Sequence, residues 1–91
     1  MSLNNLPIVS PIQVSSTGNI KATGGSLLGV FVETTTAGTI AIYDSATTTT
    51  TTPIVTTFTP TAATWYPLPF GFSNGCYVVV GGTLTATFGI L

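Results

Sequence analysis

Few side chains in this chain can carry chemistry. The charged ones are Lys21, Glu33 and Asp44, there is no histidine, and Cys76 is the single cysteine. Without imidazole there is no Ser-His-Asp type triad and no histidine metal site. One thiol cannot close a disulfide or build a cysteine zinc site. The two carboxylates could act as a glycosidase pair only if both lined one cleft. Glu33 stands two residues before a turn read over 35–38, and Asp44 lies at the far end of the return strand. At ~3.3 Å per residue that spacing keeps them well apart. Asp44 followed by Ser45 suits an Asx-turn that caps a loop. As a calcium ligand Asp44 would need further oxygens, and no second acid lies near it in sequence. The stretch "TGGSLLG", 23–29, has neither the lysine of a phosphate loop nor a helix after it, so it reads as turns. Cys76 sits in an apolar run and reads as a small buried residue. The inventory predicts no enzyme, no cofactor and no metal.

The elements that would position these residues are strands. Threonine occurs 20 times among 91 residues, with Gly, Val and Ile next, while the good helix formers are scarce. Branching at Cβ stiffens χ1 and suits a pleated surface. In "GTLTATFGIL", 82–91, Leu84, Ala86, Phe88 and Ile90 fall on one face and Thr83, Thr85 and Thr87 on the other. "GCYVVVGG" supplies a strand over 76–80, and Gly81-Gly82 reads as a two-residue hairpin turn between the two. "SLLGVFVE", 26–33, is apolar on both faces and predicts a central strand. "TTAGT", 35–39, reads as a turn into "TIAIYDS", 39–45, making 26–45 a second hairpin. "PIVTTF", 53–58, is a strand opened by proline. "WYPLPF", 65–70, carries two prolines and fits only an edge or an extended crossing segment. "PIQVSS", 11–16, and "NIKA", 19–22, are short candidates.

About eight short strands at such spacing predict an all-β antiparallel sandwich. Eight strands in two sheets fit a jelly roll, and a six- or seven-stranded sandwich is the alternative. The domain spans 11–91. Residues 1–10 read as an extended N-terminal arm, either a frayed end or an arm laid on a neighbouring subunit. Leu6, Ile8 and Val9 speak for the second alongside the first, because a tail left in water gains nothing from them. The six consecutive threonines, 47–52, read as a loop within one domain, since the strands on either side need each other for a core.

Charge narrows the partners. Charged residues make up 3% of the chain, with a net charge of −1, against ~25% in ordinary globular proteins. One lysine and no arginine cannot neutralise a row of phosphates or hold an anionic membrane surface. The start lacks the basic and apolar regions of a secretory signal. Such a surface is expected to be covered by protein neighbours. The dense aromatic cluster "WYPLPFGF", 65–72, offers Trp65 and Tyr66 as interface residues, with core packing and carbohydrate stacking as the other readings.

Leu28-Gly29, Gly38-Thr39, Ile42-Tyr43-Asp44-Ser45, Phe72, Gly75, Val78 and Gly82 form a pattern over residues 26–91. It resembles that of small β-sandwich virion proteins of tailed bacteriophages. The resemblance implies a capsid decoration, or cement, protein: a homotrimer on the virion surface, assembled in the host cytoplasm, that clamps neighbouring subunits of the major capsid protein. A tail, baseplate or fibre module binding another virion protein or a host glycan is the alternative. The expected interface residues are Leu6, Ile8, Val9, Trp65 and Tyr66.

Overall fold

A computed structural model describes residues 9–91. The described residues form an all-β, antiparallel structure with no helix. Its strands are β1 (Ser10–Val14), β2 (Gly18–Lys21), β3 (Gly25–Asp44), β4 (Pro53–Phe58), β5 (Thr64–Phe72) and β6 (Cys76–Ile90). They make one six-stranded sheet. Leu6 and Ile8, expected from the sequence to be interface residues, lie outside the described part.

β3 and β6 are the spine. They pair antiparallel from Leu27↔Ile90 to Asp44↔Cys76. The outer edge of β6 takes β1 near its end, with Ile12 opposite Phe88, and β2 near its start, with Asn19 opposite Tyr77. The outer edge of β3 takes β5 along its first half, with Val30 opposite Tyr66, and β4 along its second, with Ile42 opposite Val55. The proline-bearing segment β5 therefore pairs on one side only, as a missing N–H requires.

Two expected hairpins are absent. Gly25–Asp44 and Cys76–Ile90 are each a continuous strand, and the glycine-rich stretches are interruptions inside them. The register shifts between Thr36 and Thr39, opposite Thr83 and Gly81. Ala37 has φ 54° and Gly82 has φ 66°, so a left-handed residue on each strand faces the other. Thr35 Oγ1 accepts a hydrogen bond from Gly38 N at 3.0 Å. A glycine pair signals a turn because it tolerates positive φ, but a bulge uses the same tolerance. Long-range pairing between β3 and β6 decided between them.

The bulges bend the spine. A straight 20-residue strand would run more than about 60 Å at ~3.3 Å per residue, yet the longest extent of the molecule is 42 Å. Phe72 pairs with Gly25 at the start of β3, and Cys76 pairs with Asp44 at its end. Only residues 73–75 join the two, a reach of about 14 Å. The ends of β3 are thus brought near one another, and both halves of the sheet contribute to one core. Leu27, Val30, Val32, Ile40, Ile42, Val78, Leu84, Ala86, Phe88 and Ile90 are buried in it. The rings of Phe58 on β4 and Tyr66 on β5 meet edge to face, with centroids 5.5 Å apart.

Candidate functional site

The charged residues turn out to hold the backbone. Asp44 closes the turn between β5 and β6: its carboxylate accepts from Ser73 N at 3.0 Å, Asn74 N at 2.7 Å and Gly75 N at 3.3 Å. Those donors favour the charged form and hold the carboxyl below its ordinary range. The local Asx-turn expected at Asp44 is not formed: its carboxylate is taken by the backbone of a turn some 30 residues away. Ser45 caps the local loop instead, its Oγ accepting from Thr47 N at 3.0 Å and Thr49 N at 3.1 Å. Asn19 from β2 donates to Ser45 O and Thr47 O across the same end. The threonines 47–52 are exposed but pinned at both ends, with Asp44 N donating to Thr52 O at 2.8 Å.

Gly75 completes this end. A Cβ there would lie 2.5 Å from both Lys21 O and Ser45 O, so three chain segments converge on it. Cys76 beside it is buried, and burial pushes its thiol up to about 12. A thiol held neutral in that way is a poor nucleophile.

Glu33 belongs elsewhere. It is the extra residue where the register shifts between Val32 and Thr34, so it shares a face with Phe31 and Thr34. Its carboxylate accepts from Gln13 Nε2 at 3.1 Å and from Thr87 Oγ1. Glu33 and Asp44 share no hydrogen-bond partner. Among the described residues no three of His, Cys, Asp and Glu come together as a metal site.

The two adjacent aromatics of "WYPLPF" face opposite ways, as alternation along a strand demands. Tyr66 turns inward against Phe58, and its hydroxyl accepts from Thr61 N at 2.8 Å. Trp65 turns outward and stays 45% exposed. It sits opposite Phe31, which is 39% exposed. Phe31 is in turn opposite Thr87, and Thr87 opposite Gln13. One cross-strand row on the outer face thus reads Gln13, Thr87, Phe31, Trp65. In the next row the indole rests on Gly29, where a Cβ would lie 2.6 Å from two of its ring carbons. Nothing in the spacing of these residues along the chain announced the row; it depends on the register of four strands.

A second exposed apolar group lies at the end of the sheet where β1 begins. Ser10 pairs with Ile90, Ile90 with Leu27, and Leu27 with Phe70. Phe70 and the neighbouring Leu91 are 43% and 55% exposed. Val9 leads into this end, resting close to Gly89. No protein family, curated protein or solved structure was found to match this chain.

Proposed function

We propose that the chain is a structural virion protein that decorates the outside of a tailed-bacteriophage head and clamps neighbouring major capsid subunits, acting as a homotrimer. The observation that carries this reading is a surface almost without charge. Two of its three charged side chains, Glu33 and Asp44, are occupied by hydrogen bonds within the chain. Such a surface has little to lose on burial against protein. The motif residues that prompted the resemblance are ones the fold needs: Asp44 and Gly75 build one turn, Gly82 faces Ala37, and Gly29 floors Trp65.

In this reading the fold is a jelly-roll sandwich. Counting each half of β3 and β6 separately gives eight segments. The first pairs with the eighth, the second with the seventh, the third with the sixth and the fourth with the fifth. That is a long antiparallel ribbon rolled up, the pattern expected of eight strands in two facing sheets. The bulged centre of the spine is where strands would cross from one sheet to the other.

Attachment uses the end that carries Phe70 and Leu91, together with Val9, Leu6 and Ile8 from the N-terminal arm. Free sheet edges would be covered by neighbouring copies around a three-fold axis. The protein, purified and added to undecorated heads, is expected to bind in hundreds of copies per particle. Occupancy should change little between low and moderate salt, because few charges are screened. A steep loss over that range, or a handful of copies per particle, overturns the proposal.

A further inference from the structure

We propose that the outer face of the β1–β6–β3–β5 half is a binding site for a neutral glycan chain, with Trp65 and Phe31 as its stacking platform and Gln13, Glu33 and Thr87 as its hydroxyl-binding end. Val9 rests over Gly89, the cross-strand partner of the Gly29 beneath Trp65, so the chain enters β1 beside this platform; the proposal does not rest on attachment to a head.

The arrangement has the two parts a sugar needs. A pyranose ring has a flat C–H face, and an exposed aromatic ring stacks on it with an area that polar side chains cannot supply. Trp65 offers one. A Cβ at Gly29 would lie 2.6 Å from two of its benzo carbons, so only a glycine leaves room for the indole there, and the ring stays 45% exposed. Phe31 is directly opposite Trp65, so the platform is two residues wide.

The rim of a pyranose carries hydroxyls that both donate and accept. Glu33 accepts, Thr87, whose one hydroxyl hydrogen goes to Glu33, accepts as well, and Gln13 brings an amide oxygen that accepts and a second N–H that donates. These three are already joined, through Gln13 Nε2 to Glu33 and Thr87 Oγ1 to Glu33, so they are held in place before any ligand arrives. Preorganised polar groups lose less freedom on binding. The row from Gln13 to Trp65 crosses four strands, about 14 Å at ~4.8 Å per step, the length of a short oligosaccharide. Gln13 also lines an open cleft of about 370 Å³, together with Ser15, Ser16, Thr17 and Asn19 and the apolar Ile12, Val14 and Ile20.

Charge selects the kind of sugar. Glu33 is the one charged side chain in the face. Lys21, the single base in the chain, is on β2, outside this half of the sheet. A carboxylate with no cation beside it accepts hydroxyl donors and repels sulfated or uronic sugars. The uncharged aromatics and hydroxyls around it suit an unmodified hexose or N-acetylhexosamine chain.

Trp65 is the only tryptophan, so its fluorescence reports on the site directly. The test is titration of the full chain with cellohexaose, maltohexaose, chitohexaose and mannohexaose, with heparin hexasaccharide as the anionic comparison. At least one neutral sugar at millimolar concentration should shift Trp65 emission and move the amide NMR signals of Phe31, Thr87 and Gln13. Calorimetry with that sugar should show binding lost in Trp65→Ala and Phe31→Ala, and weakened about tenfold in Gln13→Ala and Glu33→Gln. Phe70→Ala, an exposed aromatic outside the face, should bind as the parent does. Gln13→Ala and Glu33→Gln leave the aromatic packing intact, so they keep the test decisive if an aromatic variant misfolds. Three results overturn the proposal: no neutral sugar perturbs these signals, heparin is preferred, or Trp65→Ala only dissociates a self-associated form without any sugar response.

Discussion

Replacing Gly82 by alanine tests the paired bulges that bend the spine. Gly82 has φ 66°, and a Cβ on it would lie 2.4 Å from Ala37 O and 3.1 Å from Gly38 Cα. Two costs follow. A non-glycine residue in the left-handed region loses about 1–2 kcal/mol. The added methyl meets backbone rather than a movable side chain, so the strands must part, as in an overpacked core, for a further ~1–2 kcal/mol. The expected total is about 2–4 kcal/mol, a large share of the ~5–15 kcal/mol that holds a domain together. At about 4–8 °C per kcal/mol for a chain this short, Tm should fall by roughly 8–32 °C.

Gly81→Ala is the internal comparison. Its Cβ would meet Thr39 Oγ1 at 2.5 Å, the tip of a side chain that can rotate, with the next atom at 3.8 Å. That change should cost under about 1 kcal/mol. Ala37→Gly relieves left-handed strain while loosening the unfolded chain, and the two nearly cancel, leaving it within about 1 kcal/mol of the parent. Urea unfolding followed by circular dichroism and Trp65 fluorescence measures all three. Equal losses at Gly81 and Gly82 would refute the reasoning, since a two-residue hairpin turn with both residues left-handed produces that pattern. So would a Gly82→Ala variant within about 0.5 kcal/mol of the parent, the range of an ordinary surface change.

Asp44→Asn removes a carboxylate that holds three backbone amides, and it should lower the melting temperature at neutral pH. The folded pKa of Asp44 is depressed below 3.8, so its contribution is present above that value and fades as pH falls through the lower folded one. A stability profile of the variant should therefore be flatter under acid than that of the parent, and parallel profiles would count against the cap. Cys76 is shifted the other way, from 9.0 to about 12, so its contribution is complete below pH 9 and is lost as pH rises toward 12. At pH 8 its thiol should react with a disulfide reagent only when urea opens the core; fast labelling of the folded protein would contradict its burial. Phe88→Ala empties the centre of the core, where Phe88 is 0% exposed, and should cost about 3–5 kcal/mol, measured by the same denaturation assay.

The strand content and much of the core were legible from composition and period. The run Leu84, Ala86, Phe88, Ile90 alternates in the sequence and is buried as a set. β3 looked apolar on both faces because register shifts change which face points inward. Leu27 is buried at an odd position, while Val30 and Val32 are buried at even ones, across a shift between Leu27 and Gly29. The opposite directions of Trp65 and Tyr66 follow from strand alternation alone. The candidate site was less legible. Trp65 could be singled out, but Phe31, Gln13, Glu33 and Thr87 join it only through pairings between residues up to 74 positions apart, such as Gln13↔Thr87.

By itself the sequence determined that this chain is all-β, that it lacks the side chains for imidazole or thiolate-metal chemistry, and that its surface is nearly uncharged. Those follow from residue types and a period of two, both local properties. Only the tertiary structure decided whether "TTAGT" and "VVGGT" turn the chain back or bend it onward. Either outcome needs a residue at positive φ, so local preference is the same for both. Ala37 takes φ 54° despite its Cβ, opposite Gly82 and between long paired stretches of β3 and β6. The hydrogen bonds and burial gained along that spine outweigh one strained residue, and no window of sequence contains that sum.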